Sequence, residues 1–368
     1  MKRKIIIITN HFQQMDGICS SAINMANALA KLELYNITIC PLFLFDRSKM
    51  CDVDSRVEIK PVFRFYFRGF QKIIGLIPTT WLHSIIIGDK YDIEIGFCMK
   101  MPIQLIASVA HKKHSSNKKM YFAWMHGYDK GLSLVNEYKK IGRVICVSKS
   151  SAERLKDESK HQFSVDYAYN VIDEEKIIEF GREHINIEKP KEIVFCSVGR
   201  FTHEKGFIRL AKVAKLLSDK GYKFSLWIIG DGPEKDDVEK IISTINSKNV
   251  VLIGSCKNPH AYTSKCDVYV CSSFSEGYST ACTEAMILGV PIITTDVSGG
   301  KEMVEEARAG MVVDNSEEGL FEGMKNVLEK PHIIDNWKNE LAISKTLFSK
   351  DNRIAKLISV LDLDNIKD

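Results

Sequence analysis

Apolar residues in this chain come in short β-branched runs, most of them followed by a longer stretch of helical periodicity. The first run, Ile5-Ile6-Ile7-Ile8 between Lys4 and Thr9, has the uninterrupted apolar character of a strand buried on both faces of a parallel sheet. A polar loop from Asn10 to Gly17 leads into residues 18–32, where alanines recur at close-packing positions of a helix. Residues 37–42, 57–62, 93–97, 120–124 and 143–147 read as further strands, separated by helix-like or irregular segments. The pattern fades through a charged stretch that ends near Lys191, and then the alternation restarts. Strands are expected within 192–201, 223–229, 249–255, 267–271, 292–295 and 310–314, with closing helices at roughly 317–330 and 340–363. This order predicts two doubly wound α/β domains whose ligands bind beyond the carboxyl ends of the strands. Asn10, Gly17, His126 and Ser148 occupy such positions in the first half.

Composition narrows the class. A chain of 368 residues with 45% apolar and 27% charged residues fits a soluble protein of two domains. No apolar run reaches the roughly 18–20 residues of a membrane-spanning helix. Lys2-Arg3-Lys4 runs straight into a strand too short for a signal-peptide core, so a cytoplasmic location is expected. The ten cysteines form no Cys-x2-Cys pair and sit mostly in apolar strands, as Cys98, Cys146, Cys196 and Cys271 do, which predicts reduced structural thiols. Residues 1–180 hold 26 Lys and Arg against 19 Asp and Glu, and the remainder 25 against 28. A basic first half suits an acidic substrate or an anionic membrane surface, although a solvated face explains charge alone equally well. Residues 60–74 alternate aromatic and basic side chains, which leaves two readings open: a segment lying in lipid headgroups, or an inter-strand segment with its aromatics in the core. The basic cluster at 111–119 lacks interleaved aromatics and reads as a solvated loop, so no nucleic-acid partner is expected.

The chemistry concentrates in residues 271–291. Strand, tight loop, helix and strand follow in turn, with Glu276 in the loop and Glu284 about two turns into the helix. Ser279 or Thr280 is a natural N-cap. The unpaired N–H groups and positive dipole end of that helix suit an anion over Tyr278, Ser279, Thr280 and Ala281. Carboxylates cannot bind phosphate, but Glu276 and Glu284 can accept hydrogen bonds from vicinal hydroxyls on either side. A diphosphate flanked by sugar hydroxyls describes a nucleotide diphosphate-sugar. Two isolated glutamates would more often be a solvated helix carboxylate and a loop residue beside Gly277, a plain turn. A second anion-binding arrangement stands after another strand, where Gly199 and Arg200 precede Lys205 at the mouth of a helix. The dinucleotide fingerprint Gly-x-Gly-x-x-Gly is absent, and no Asp-x-Asp stands at a strand end, so neither a redox cofactor nor a metal is expected.

The pattern Glu276-Gly277-Tyr278-Ser279-x4-Glu284-Ala285-x3-Gly289-x-Pro291 resembles the Glu-x7-Glu signature of retaining glycosyltransferases of family 4, a group that includes bacterial polysaccharide and lipopolysaccharide enzymes. The resemblance is strong over 192–315 and looser over 1–180. It implies the GT-B architecture, two Rossmann-like domains facing across a cleft. Residues 1–175 would bind the acceptor, 176–191 would link, 192–345 would bind the nucleotide-sugar, and 346–368 would return to the first domain. Arg200 and Lys205 would neutralise the donor diphosphate, Glu284 would hold the ribose and Glu276 the donor sugar. His126 would lie by the reacting sugar, and Gly17 stands where relatives carry a glycine-rich loop. Gly230 belongs to the Gly-x-Gly-Pro turn of relatives, and Gly254 ends a strand near which they cradle the base. The implied reaction moves a sugar, with retention, from a UDP-sugar to a glycan or lipid-linked glycan of the cell surface, without metal. A GT-B-like sugar phosphorylase, a nucleotide-sugar epimerase and a non-catalytic sugar-nucleotide-binding module are the competing readings.

Overall fold

The computed structural model describes residues 2–12, 17–44, 50, 52–64, 74, 76–97, 100–110, 119–127, 133–245 and 250–363. Most of 60–74, all but Lys119 of the 111–119 cluster, Asp16 and Cys98 therefore lie outside the described residues. The chain divides into two compact units, residues 1–172 with 353–368, and residues 173–352.

The first unit is built on seven parallel strands: β1 (Arg3–Phe12), β2 (Tyr35–Leu44), β3 (Glu58–Ile59), β4 (Ile93–Phe97), β5 (Met120–Met125), β6 (Arg143–Cys146) and β7 (Ser164–Tyr167). Their order in the sheet is β3-β2-β1-β4-β5-β6-β7, with Ile5 beside Ile37 on one side and Ile93 on the other. The isoleucines of β1 are fully buried, as the uninterrupted run requires. The helices of this unit are α1 (Gly17–Lys31), α2 (Thr79–Ile86), α3 (Met101–Ala110), α4 (Val135–Ile141) and α5 (Lys149–Ser159). The strand expected at 57–62 shrinks to two residues because Lys60-Pro61 follows, and proline cannot continue a ladder as a donor. Strand β7, with Ser164 and Asp166 on one face, is an edge strand that hydrophobic periodicity did not mark.

The second unit has six parallel strands: β8 (Val194–Val198), β9 (Ser225–Ile229), β10 (Val250–Gly254), β11 (Val268–Cys271), β12 (Ile292–Thr295) and β13 (Gly310–Val313). They run in the order β10-β9-β8-β11-β12-β13. It opens with α6 (Glu174–Gly181), so the stretch expected as a linker at 176–191 begins inside a helix. Asp173 caps it, and Glu174 and Glu175 lie in its first turn, where a helix dipole favours acids. Helices α7 (Phe207–Asp219), α8 (Lys235–Ile242), α9 (Pro259–Thr263), α10 (Thr280–Ile287), α11 (Gly300–Ala307), α12 (Glu317–Glu329) and α13 (His332–Ile343) complete it. The closing helix expected at 340–363 is interrupted by Ser344 and a 3-10 turn, Lys345–Phe348, before α14 (Lys350–Val360). From Arg353 onward α14 counts with the first unit, where Lys356 donates to Asp166 at 2.9 Å and Leu357 is buried. Among the described residues no helix is long and apolar enough to cross a membrane.

In both sheets the winding reverses at one place, between β1 and β4 and between β8 and β11. Loops leaving neighbouring strands at such a point diverge to opposite faces and open a crevice at the carboxyl edge.

Candidate active site

The crevice of the second unit lies between the ends of β8 and β11. These strands pair only through Val268 with Phe195 and Tyr269 with Cys196. Beyond that point the Tyr269 hydroxyl fills the gap, accepting from the Val198 N–H at 3.2 Å and donating to its carbonyl at 3.0 Å. Each diverging loop delivers one side of a charged pair. Lys205, on the loop after β8, donates from Nζ to Glu276 Oε1 at 2.7 Å on the loop after β11. Ser273 Oγ donates to the same oxygen at 2.6 Å. Burial works against the Lys205 ammonium, but the charge and hydrogen bond of Glu276 outweigh it and raise its pKa above the ordinary lysine value. Arg200 is exposed and makes no ion pair with a described residue, so its charge is available to a ligand.

Beside this pair stands the N-terminus of α10. Ser279 caps it by accepting from the Cys282 N–H at 3.3 Å. The first intrahelical bond runs from the Thr283 N–H to the Ser279 carbonyl at 3.1 Å. In that geometry the N–H groups of Thr280 and Ala281 are left at the helix mouth, a short anion seat with a positive dipole end. Glu284 is set further along the same helix. Its carboxylate lies 3.8 Å from His260 Nδ1, a partner on α9 that the sequence reading did not anticipate. Burial pushes the Glu284 carboxyl up to about 7. It also lowers the pKa of His260, and Lys176 adds to that shift, so the imidazole is neutral at neutral pH.

Backbone packing explains the glycines. Gly199, Gly230 and Gly254 meet at the ends of β8, β9 and β10, where the Gly199 N–H donates to Ile229 O at 3.0 Å and the Gly230 N–H to Gly254 O at 2.9 Å. A Cβ on Gly230, at φ +142°, would stand 1.9 Å from the Gly199 carbonyl oxygen. The same constraint operates at Gly206, at φ +66°, where a Cβ would stand 2.1 Å from the Ser272 carbonyl oxygen. Gly206 thus lets the Lys205 turn close on the strand end that leads to Glu276.

Residues 181–342 match a family model described as Glycosyl transferases group 1. Over 352 residues, 85% of each chain, the sequence is 31% identical to the putative teichuronic acid biosynthesis glycosyltransferase TuaC of Bacillus subtilis. The chain belongs to the group 1 glycosyltransferases. It is also 29% identical over 229 residues to the N-acetylgalactosamine-N,N'-diacetylbacillosaminyl-diphospho-undecaprenol 4-alpha-N-acetylgalactosaminyltransferase of Campylobacter jejuni, a match that spans 59% of this chain and 61% of that relative. The structure of Anabaena HepE in complex with UDP superposes with a TM-score of 0.74 at 14% identity, covering 98% of this chain and 99% of that one. The two-unit α/β architecture is thus the GT-B fold.

In this glycosyltransferase the site residues read from the sequence fall into separate groups. Lys205 and Glu276 touch each other. Gly277 and Tyr278 lead into the capped helix mouth of Ser279, Thr280 and Ala281, whereas Glu284 is set apart with His260. Two residues belong to the first unit. His126 directly follows β5 and its ring lies 4.4 Å from that of Phe97, at the end of β4. Gly17 starts α1, exposed, and a side chain there would meet nothing within 4 Å.

The sequence reading passed over the residue that holds the Glu276 loop in place. Arg209, on α7 and only 2% exposed, donates from Nε to the Ser272 carbonyl at 2.6 Å and from a terminal nitrogen to the Ser273 carbonyl at 2.6 Å. Its other terminal nitrogen donates to Asn315 Oδ1 at 2.8 Å, and its plane lies 3.8 Å from the Phe274 ring. Arginine on an amphipathic helix normally signals solvent. The clue available in the sequence was its place in the first turn of the helix that Gly206 opens, directly after the Lys205 turn.

Proposed function

We propose that this glycosyltransferase moves a sugar, with retention of configuration, from a UDP-sugar to a lipid-linked glycan in the assembly of a cell-surface polysaccharide. The observation that carries the reading is the Lys205–Glu276 pair, 2.7 Å apart beside the capped helix mouth at Ser279. The donor diphosphate sits on the Thr280 and Ala281 amides, with Arg200 and Lys205 opposing the charge that grows as the nucleotide leaves. Glu276 accepts from hydroxyls of the donor sugar and is held in place for this by Ser273 and Lys205. Glu284 accepts from the ribose. His126 and Gly17 are assigned to the reacting sugar and the acceptor. With two cations and a helix mouth to hold the phosphates, the chain needs no metal, and a chelator should leave turnover unchanged.

The retaining step is supported by the likeness to Glu-x7-Glu enzymes, in which same-face departure and attack let the leaving phosphate oxygen take the acceptor's proton. The donor class is supported by the UDP in the HepE complex. The acceptor class is supported by the undecaprenol-linked substrate in the name of the Campylobacter relative. Slow hydrolysis of a panel of nucleotide-sugars identifies the donor without an acceptor. Release of one nucleoside diphosphate, abolished in Glu276→Ala, is the expected result. Unchanged release by that variant would refute the assignment.

A further inference from the structure

Eight large apolar side chains among the described residues are exposed, and three of them, Leu76, Trp81 and Ile85, fall within ten consecutive positions. Their exposures are 84%, 58% and 61%. Trp81 and Ile85 are four apart on α2, hence on one face of the helix. The opposite face is fixed by packing and charge. Leu82 enters the core of the first unit. His83, two positions from both Trp81 and Ile85 and so on the far side, sits 2.8 Å from Glu94 Oε2 on β4, and Lys119 holds the other Glu94 oxygen at 2.6 Å. Glu94 is fully buried, so this polar anchor resists rotation of the helix. The helix is therefore held with its tryptophan and isoleucine outward, although about half a turn of rotation would bury them.

The unit that carries this face is strongly basic. Residues 1–172 with 353–368 hold 28 Lys and Arg against 18 Asp and Glu, a net of +10. The other unit holds 23 against 29, a net of −6. An apolar patch with an amphipathic tryptophan, on the one unit of strong positive charge, matches the two demands of an anionic bilayer surface: side chains for the acyl boundary and cations for the headgroups. We infer that the α2 face of Trp81 and Ile85, with Leu76 exposed just before the helix, docks the enzyme on an anionic lipid surface. This surface is distinct from the donor site, and its assignment stands on these residues whether or not the acceptor proves to be lipid-linked.

Sedimentation of the full chain with vesicles of phosphatidylcholine plus phosphatidylglycerol, and with phosphatidylcholine alone, tests the proposal. The wild type should bind the anionic vesicles, more weakly as salt is raised, with a blue shift of tryptophan emission that brominated lipid quenches. Trp81→Ala with Ile85→Ser should lower binding roughly tenfold or more and abolish that shift, because Trp124 and Trp227 are buried and Trp337 packs, half-buried, against the core of the other unit. Its melting temperature and its affinity for UDP should stay at the wild-type values, which separates loss of docking from misfolding and from an error in the donor assignment. Equal binding by wild type and variant overturns the inference, as does absence of binding to anionic vesicles. So does a concentration-dependent dimer of the wild type that the variant lacks, which would assign the face to a second copy.

Discussion

Replacing Glu284 by Gln should make the ligand-free protein more stable and its nucleotide binding weaker and less sensitive to pH. The side chain keeps 27% of its exposure, yet burial raises its carboxyl from 4.5 to about 7. The folded chain thus holds this proton more tightly than the unfolded chain does. The ionised carboxylate costs no stability below about pH 4.5. The cost grows as the pH climbs to about 7 and is complete above that. A shift of this size corresponds to at most about 3 kcal/mol, and the solvent-exposed quarter brings it toward about 1–2 kcal/mol. Glutamine keeps the shape without the charge, so the variant should melt a few degrees higher near pH 8 and level with the wild type near pH 4. Ribose hydroxyls donate to the ionised form, so affinity should follow the ionised fraction. Between about pH 8.5 and pH 5.5 the wild-type affinity should fall about 2-fold or more further than that of the variant, and up to about 30-fold if the full shift to about 7 is expressed. Taking the ratio removes titration of the nucleotide's own phosphate. Calorimetric titration with UDP and thermal scans across the same pH range measure both effects. Identical pH slopes, or a variant less stable than the wild type near pH 8, would refute the reasoning.

The loop contacts make equally specific predictions. Arg209→Met keeps volume but leaves the Ser272 carbonyl without its donor and the Ser273 carbonyl with Thr295 alone; it should cost about 1–3 kcal/mol in denaturant unfolding and reduce turnover, and a loss under about 0.5 kcal/mol would be too small for this role. Gly206→Ala places a Cβ 2.1 Å from the Ser272 carbonyl oxygen and should destabilise by about 2 kcal/mol or more, with wild-type unfolding curves as the contrary result. Lys205→Met removes the partner of Glu276 and a counter-charge for the leaving group, so kcat should fall roughly 100-fold or more in steady-state donor hydrolysis. An unchanged kcat would remove Lys205 from the transition state.

Buried parallel strands announce themselves in sequence because both their faces must be apolar, and Ile5-Ile6-Ile7-Ile8 needs no partner to be recognised. The capped helix is local too: Ser279 accepts from an N–H three residues on, so the anion seat was legible from a few adjacent residues. The Glu-x7-Glu spacing marked which carboxylates matter. Contacts across long separations were not legible. Lys205 and Glu276 are 71 residues apart, and nothing in either segment states that they form an ion pair, because their meeting depends on β8 and β11 being neighbours at the sheet's reversal. The same holds for Arg209, whose carbonyl partners lie 63 and 64 residues away. Periodicity reads it as a surface cation, while the folded chain buries it, since only tertiary packing brings two outward-facing carbonyls to its guanidinium. Edge strand β7 and the two-residue β3 were misjudged or missed for a related reason: an edge buries one face, and half the hydrophobic signal disappears. Local chemistry determined the strands, the cap and the two carboxylates; tertiary structure decided which charges meet, because pairing of charges is set by strand order rather than by sequence distance.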